Sequence, residues 1–115
     1  MKSFSRTGTH LFCGHWNGSP VEIGLTELLV EVPATEQRHY HHYHEYYVVL
    51  EGSGALEVEG SIVALTAGHT VMVEPGERHR VVEVGPDGIR WVIIKERSEP
   101  DSKHLDDGRY LEEQR

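Results

Sequence analysis

Within seven residues, His39 to Glu45, the chain carries four histidines and a carboxylate: His39, His41, His42, His44 and Glu45. Imidazole and carboxylate together suit borderline first-row divalent ions (iron, manganese, cobalt, nickel, copper or zinc), whereas calcium and magnesium want oxygen ligands. On an extended strand, residues two apart project from one face with Cα atoms about 6.5 Å apart. His39 and His41 therefore form one pair, and His42 and His44 another on the opposite face. The downstream residues separate the two pairs. Glu45, Tyr47 and Val49 continue the odd face, while Tyr46, Val48 and Leu50 give the even face no further ligand. A fourth donor has to come from elsewhere, and His79 opens the run "HRVVEV" directly after the turn "PGER". An antiparallel barrel can lay that strand beside the first, which makes His39, His41, Glu45 and His79 the candidate ligands.

Elements of the right kind surround these residues. From residue 21 to 96 the chain is a series of short β-rich runs broken by glycine and proline, with no sustained 3.6-residue apolar period. The predicted strands are "VEIGLTELLVEV", "EYYVVLE", "ALEVEG", "SIVALT", "TVMVEP", "HRVVEV" and "RWVIIKE", separated by "GSG", "GS", "AGH", "PGER" and "GPDG", all turn chemistries. The expectation is an all-β sandwich or barrel over 21–96, preceded by an arm or strand at 1–20 and followed by a charged peripheral tail at 97–115. In that tail Leu105, Tyr110 and Leu111 are the available anchors. "WVIIK" is apolar on both faces, which predicts a mid-sheet strand or an interface.

Composition narrows the partners. At 115 residues the chain suits one domain, and 19 acidic against 11 basic residues, a formal net of -8, oppose a phosphate backbone, so no nucleic acid is expected. No apolar run reaches the roughly 20 residues of a membrane span or resembles a signal peptide, which predicts a soluble, cytoplasmic protein with no membrane partner. The one cysteine, Cys13, has no second thiol and no basic neighbour, so it reads as a small apolar filler.

The two motifs carry a resemblance. "HYHHYHEYYVVLEG" is similar to the first motif of the cupin superfamily, an HxH followed by Glu and then Gly, matched here by His39, His41, Glu45 and Gly52. "GHTVMVEPGERH" resembles the second, matched by Gly68, Pro75, Gly76 and His79. The chain departs from the usual pattern at His69, Glu74 and Glu83, none of them a ligand position. The resemblance implies a double-stranded β-helix, or jelly-roll, barrel holding one divalent transition metal per chain, and small members are dimers. It supports "RWVIIK" and Leu11–Trp16 as interface candidates. Similar small cupins include dioxygenases, dimethylsulfoniopropionate lyases, sugar and uronate isomerases and polyketide cyclases, as well as proteins that bind without catalysis. The expected function is therefore a metal-dependent enzyme acting on a small anionic or oxygenated metabolite, or else a module that binds or senses a sugar or small acid.

Other residues take roles around that centre. Val49, Val71, Val73 and Val81 are expected to line the pocket. Tyr47 is either a pocket wall with its hydroxyl on the substrate or barrel core, and in some of the similar lyases a Tyr at this spacing is the base. His44, next to Glu45, is a second proton-transfer candidate at the mouth. Tyr40, Tyr43 and Tyr46 are assigned to the opposite side, in packing or a dimer contact. His10, His15, His69 and His104 are expected on the surface or in loops.

Overall fold

The structure is a computed structural model that describes residues 4–6, 8–29, 37–100, 103–105 and 110–111. Along the chain the strands are β1 (Phe4–Arg6), β2 (Thr9–Cys13), β3 (Glu22–Leu28), β4 (His39–Tyr40), β5 (Glu45–Val58), β6 (Ser61–Thr66), β7 (Thr70–Val73), β8 (His79–Lys95), β9 (Lys103–Leu105) and β10 (Tyr110–Leu111), with a 3-10 turn at His15–Asn17. All ten belong to one sheet. Its spine is the antiparallel pair β5 and β8, in register from Glu45 opposite Lys95 to Val58 opposite His79. The second half of β5 also pairs with β6 and the first half with β7. On its other edge, β8 takes β3 along its second half and β4 at its start.

Two expected turns are absent as chain reversals. "EYYVVLE" and "ALEVEG" are the two halves of the single strand β5, and "HRVVEV" and "RWVIIKE" are the two halves of β8. The register explains this: Gly52 lies opposite Ile89 and Gly54 opposite Val84, so residues 85–88 are an insertion in β8 that bulges where β5 bends. Gly52 and Gly88 both hold positive φ, +77° and +76°, and a Cβ on Gly52 would collide with the Gly88 carbonyl oxygen. Glycine chemistry here bends two strands together rather than reversing either. The bend matters for the site, because Glu45 and His79 stand at opposite ends of the β5–β8 ribbon. A straight ribbon of that length would hold them roughly 40 Å apart, yet the Glu45 carboxylate reaches the His79 ring.

Of the first predicted strand, Glu22–Leu28 forms β3 and Leu29 lies outside it, while the part from residue 30 on falls outside the described residues. "WVIIK" is mid-sheet, paired on both edges. Tail residues edge the sheet: β9 pairs with β4, placing Leu105 opposite His39, and β10 pairs with β9.

Interior and exterior alternate along the strands. Tyr47, Val49, Leu56, Leu65, Val73, Val81, Ile89, Trp91 and Ile93 form one buried cluster, with Val71 half-buried against it. Each fully buried aliphatic or aromatic side chain of this kind contributes roughly 1.5–3 kcal/mol. The site is built at the end of that cluster where Glu45 stands.

Candidate metal centre

Pairing of β4 with β8 sets His39 directly opposite His79, and their ring centroids lie 4.3 Å apart. His41 comes from the link between β4 and β5, where its carbonyl oxygen accepts the Gly76 N–H at 2.8 Å and ties the link to the turn before β8. The ring nitrogens of His39, His41 and His79 all come within 4.8 Å of one another, and all three residues are buried. Glu45 arrives on β5, with Oε1 3.0 Å from His79 Nε2 and Oε2 3.3 Å from His41 Nε2. The carboxylate thus bridges two of the imidazoles.

The outer nitrogens fix how the rings present themselves. His39 Nδ1 lies 2.8 Å from the Gln37 carbonyl oxygen and His79 Nδ1 2.9 Å from that of Glu77. A carbonyl only accepts, so each Nδ1 carries the proton and each Nε2 is left with its lone pair. This is the outer partner that metal-bound histidines use to fix tautomer and orientation. For His79 the consequence is specific: a lone pair faces a carboxylate oxygen across 3.0 Å. Two acceptors at that distance need a cation between them, either a second proton or a metal ion. The donor set, three neutral imidazoles and a carboxylate, matches a first-row transition ion. Three histidines are therefore positioned to hold a metal.

Electrostatics keeps Glu45 ionised and His39 neutral. Burial would raise the Glu45 carboxyl pKa, but His41 and His79 outweigh it and hold the group well below the ordinary range. Burial, then repulsion from His79, Lys103 and His41, lowers His39 from 6.5 to about 2. The unfolded chain protonates His39 below its ordinary pKa and the folded chain does not, so this stability is fully present above that value and drains away as pH falls. In metal-free protein, the urea midpoint should fall steadily between about pH 7 and about pH 5, with up to about 1.4 kcal/mol per pH unit from His39. A His39→Gln variant should show a shallower slope, and an unchanged slope would contradict the assignment.

The remaining candidates lie at stated places. Tyr47 is buried two residues beyond Glu45, with its ring 5.5 Å from Trp91. Val49, Val73 and Val81 are buried in the same hydrophobic cluster as Tyr47. His44 is partly exposed, its Nδ1 3.1 Å from Glu96 Oε1 and its backbone N–H donating to the same oxygen. That backbone N–H is the chief reason the exposed Glu96 carboxyl sits below its usual pKa. His42 is exposed, 4.4 Å from the His104 ring.

Two expectations need correction. Tyr43 is not with Tyr40 and Tyr46 on the opposite side: it is 1% exposed and stacked on His41 at 4.9 Å, its hydroxyl 3.2 Å from His41 Nδ1. Its odd position, shared with His41 and Glu45, was the signal. His104 is not an isolated loop histidine either, because β9 brings it opposite Tyr40, where the rings stack at 5.3 Å. Glu22 and Lys95, both buried and 3.1 Å apart, were also missed; each lies at the inward parity of its strand.

Fold and site together define a jelly-roll barrel with a buried histidine cluster at one end. The chain belongs to the cupin family: the family model described as "Cupin domain" matches residues 28–95, more than half of its length. Among solved structures it resembles a protein from Planctomyces limnophilus (22% identity, 90% of this chain and 88% of that one, TM-score 0.66). It also resembles a cupin-2 domain protein from Rhodospirillum rubrum (18% identity, 87% and 66%, TM-score 0.67). A third is a Cupin 2 conserved barrel domain protein from Salinispora arenicola (22% identity, 76% and 72%, TM-score 0.62). No curated protein matches the chain. At these identities the likeness speaks for the fold. No helix among the described residues is long and apolar enough to cross a membrane.

Proposed function

We propose that this cupin is a metal-dependent enzyme acting on a small anionic or oxygenated metabolite, with His39, His41, Glu45 and His79 binding one divalent transition metal per chain. The observation that carries the reading is the His79–Glu45 contact, two acceptors held face to face by partners that fix the histidine tautomer. When bound, such an ion supplies Lewis-acid activation of an oxygen-bearing substrate or, if redox-active, oxidative chemistry of the dioxygenase kind. Three neutral imidazoles and one carboxylate leave a divalent ion with a net positive charge, so the site selects anions. Tyr47, next along the interior face from Glu45, is the proton-transfer candidate for a lyase or isomerase, and His44 a second one at the rim. Val49, Val71, Val73 and Val81 line the interior and keep water from the ligands. The outer face of the same strands, with Tyr46, Val92, Ile94 and the 47%-exposed Met72, is the surface for a second copy in a homodimer.

Elemental analysis of untagged protein tests the ligand set. Near-stoichiometric metal is expected, reduced in Glu45→Gln and unchanged in His42→Ala; the reverse pattern would overturn the ligand assignment. Iron would direct substrate screening to dioxygenase chemistry, and manganese, nickel or zinc to lyases and isomerases. No metal after anaerobic reconstitution would leave a binding or sensing module for a sugar or small acid.

A further inference from the structure

The three clustered histidines have two kinds of outer partner. His39 Nδ1 and His79 Nδ1 each face a peptide carbonyl, which accepts and cannot donate, so the position of the Nδ1 proton is fixed before any ion arrives. His41 Nδ1 instead faces the Tyr43 hydroxyl at 3.2 Å. A hydroxyl both donates and accepts and turns to suit its neighbour, so this contact holds the ring without dictating which nitrogen carries the proton. Tyr43 is 1% exposed, and its ring stacks on His41 with centroids 4.9 Å apart and planes 12° from parallel. The backbone around the pair is anchored independently of that hydroxyl. The His41 carbonyl accepts the Gly76 N–H, Arg97 Nη2 donates to the His42 carbonyl at 2.6 Å, and the Glu96 N–H donates to the His44 carbonyl at 3.1 Å. The Arg97 guanidinium also lies over the Tyr43 ring at 5.9 Å.

The inner nitrogen of the same ring, His41 Nε2, lies 3.3 Å from Glu45 Oε2. A neutral imidazole has one N–H and one lone pair. In metal-free protein the favourable choice puts the N–H at Nε2, towards the carboxylate, and leaves the Nδ1 lone pair to accept the Tyr43 O–H. The opposite choice would set a second lone pair against Glu45, in addition to that of His79. Once Nε2 serves as a ligand its lone pair is taken, the proton belongs on Nδ1, and the Tyr43 oxygen becomes the acceptor. The ring is neutral in both states: one proton leaves Nε2 for solvent and one is taken up at Nδ1.

We propose that Tyr43 is the positioning residue of His41, a two-way partner that donates to Nδ1 in metal-free protein and accepts from it in the metal-loaded centre, so that His41 changes tautomer on binding. His39 keeps its Nδ1 proton throughout. The inference rests on the metal reading above.

The test uses the full chain labelled with nitrogen-15, its histidine rings read by long-range proton–nitrogen NMR at about pH 8, above the ordinary histidine pKa, before and after zinc is added. Metal-free wild type should show the His39 proton on Nδ1 and the His41 proton on Nε2, and zinc-loaded wild type should show both on Nδ1. Tyr43→Phe keeps the stacked ring and removes only the hydroxyl. Competition with a chelator should show this variant binding zinc roughly 10- to 100-fold more weakly, the worth of an outer partner, with an unchanged far-ultraviolet spectrum. If Tyr43→Phe fails to fold, the wild-type tautomers decide. A His41 proton already on Nδ1 in metal-free protein, or an unchanged zinc affinity in folded Tyr43→Phe, overturns the proposal and leaves the metal reading standing. Failure of wild type to bind zinc overturns both.

Discussion

Replacing His79 with glutamine should strip the protein of nearly all its metal while leaving a folded barrel. His79 is 0% exposed, faces His39 across the sheet, and directs its Nε2 at Glu45. Loss of even an outer partner of a metal-bound histidine costs roughly 10- to 100-fold in affinity, so loss of a ligand exceeds that. Glutamine keeps much of the volume and a polar tip, which limits the cavity that alanine would leave at a buried position. Metal per chain by elemental analysis should fall from near one to a trace, with the far-ultraviolet spectrum unchanged. Full metal retention in a folded His79→Gln protein would remove His79 from the centre. His79→Ala should lose the metal too, with an added loss of stability.

The second large effect lies away from the site. Gly52→Ala should destabilise the fold by about 2–5 kcal/mol, combining the left-handed backbone penalty of about 1–2 kcal/mol with about 1–3 kcal/mol for forcing packed groups apart. The colliding group is the Gly88 carbonyl, part of the backbone bulge, which cannot swing away as a side chain would. Gly60 is the control: its φ is +82° and nothing lies within 4 Å of a Cβ there. Gly60→Ala should cost only the backbone component, so the two urea midpoints should differ clearly. Equal shifts would mean that the β5 and β8 backbones are free to separate at the bend. A stability loss of that size is a substantial part of the roughly 5–15 kcal/mol that holds a domain folded. Metal retention should decline with it, because the bend brings Glu45 to His79.

What the sequence made legible was periodicity. Inward and outward positions alternate from His39 through Val49 even though the backbone leaves strand geometry between His41 and His44, so reading the odd face as one surface worked across that link. The "ALEVEG" run likewise has Leu56 buried and Glu59 exposed. Facts that depend on the partner strand stayed hidden. "GPDG" has the residues of a reversal, and only its register against Gly52 and Gly54 shows that it is a bulge. In sequence Lys95 ends an apolar run, and only the sheet sets Glu22 opposite it. His104 had no neighbour in sequence, and its partners Tyr40 and His42 are more than sixty residues earlier.

The histidine-rich link has a thermodynamic consequence. His39, His41, His42 and His44 are close neighbours along the chain, so the unfolded polypeptide already offers a multidentate ligand for transition ions. Metal stabilises a protein only by the difference between its affinities for the folded and unfolded states. Here the unfolded chain retains His39 and His41 nearby and lacks His79, which is 34 residues beyond Glu45 and reaches it only after β5 and β8 have bent together. Added metal should therefore raise the unfolding temperature by less than its affinity for the native site would suggest, and His79 sets much of that difference.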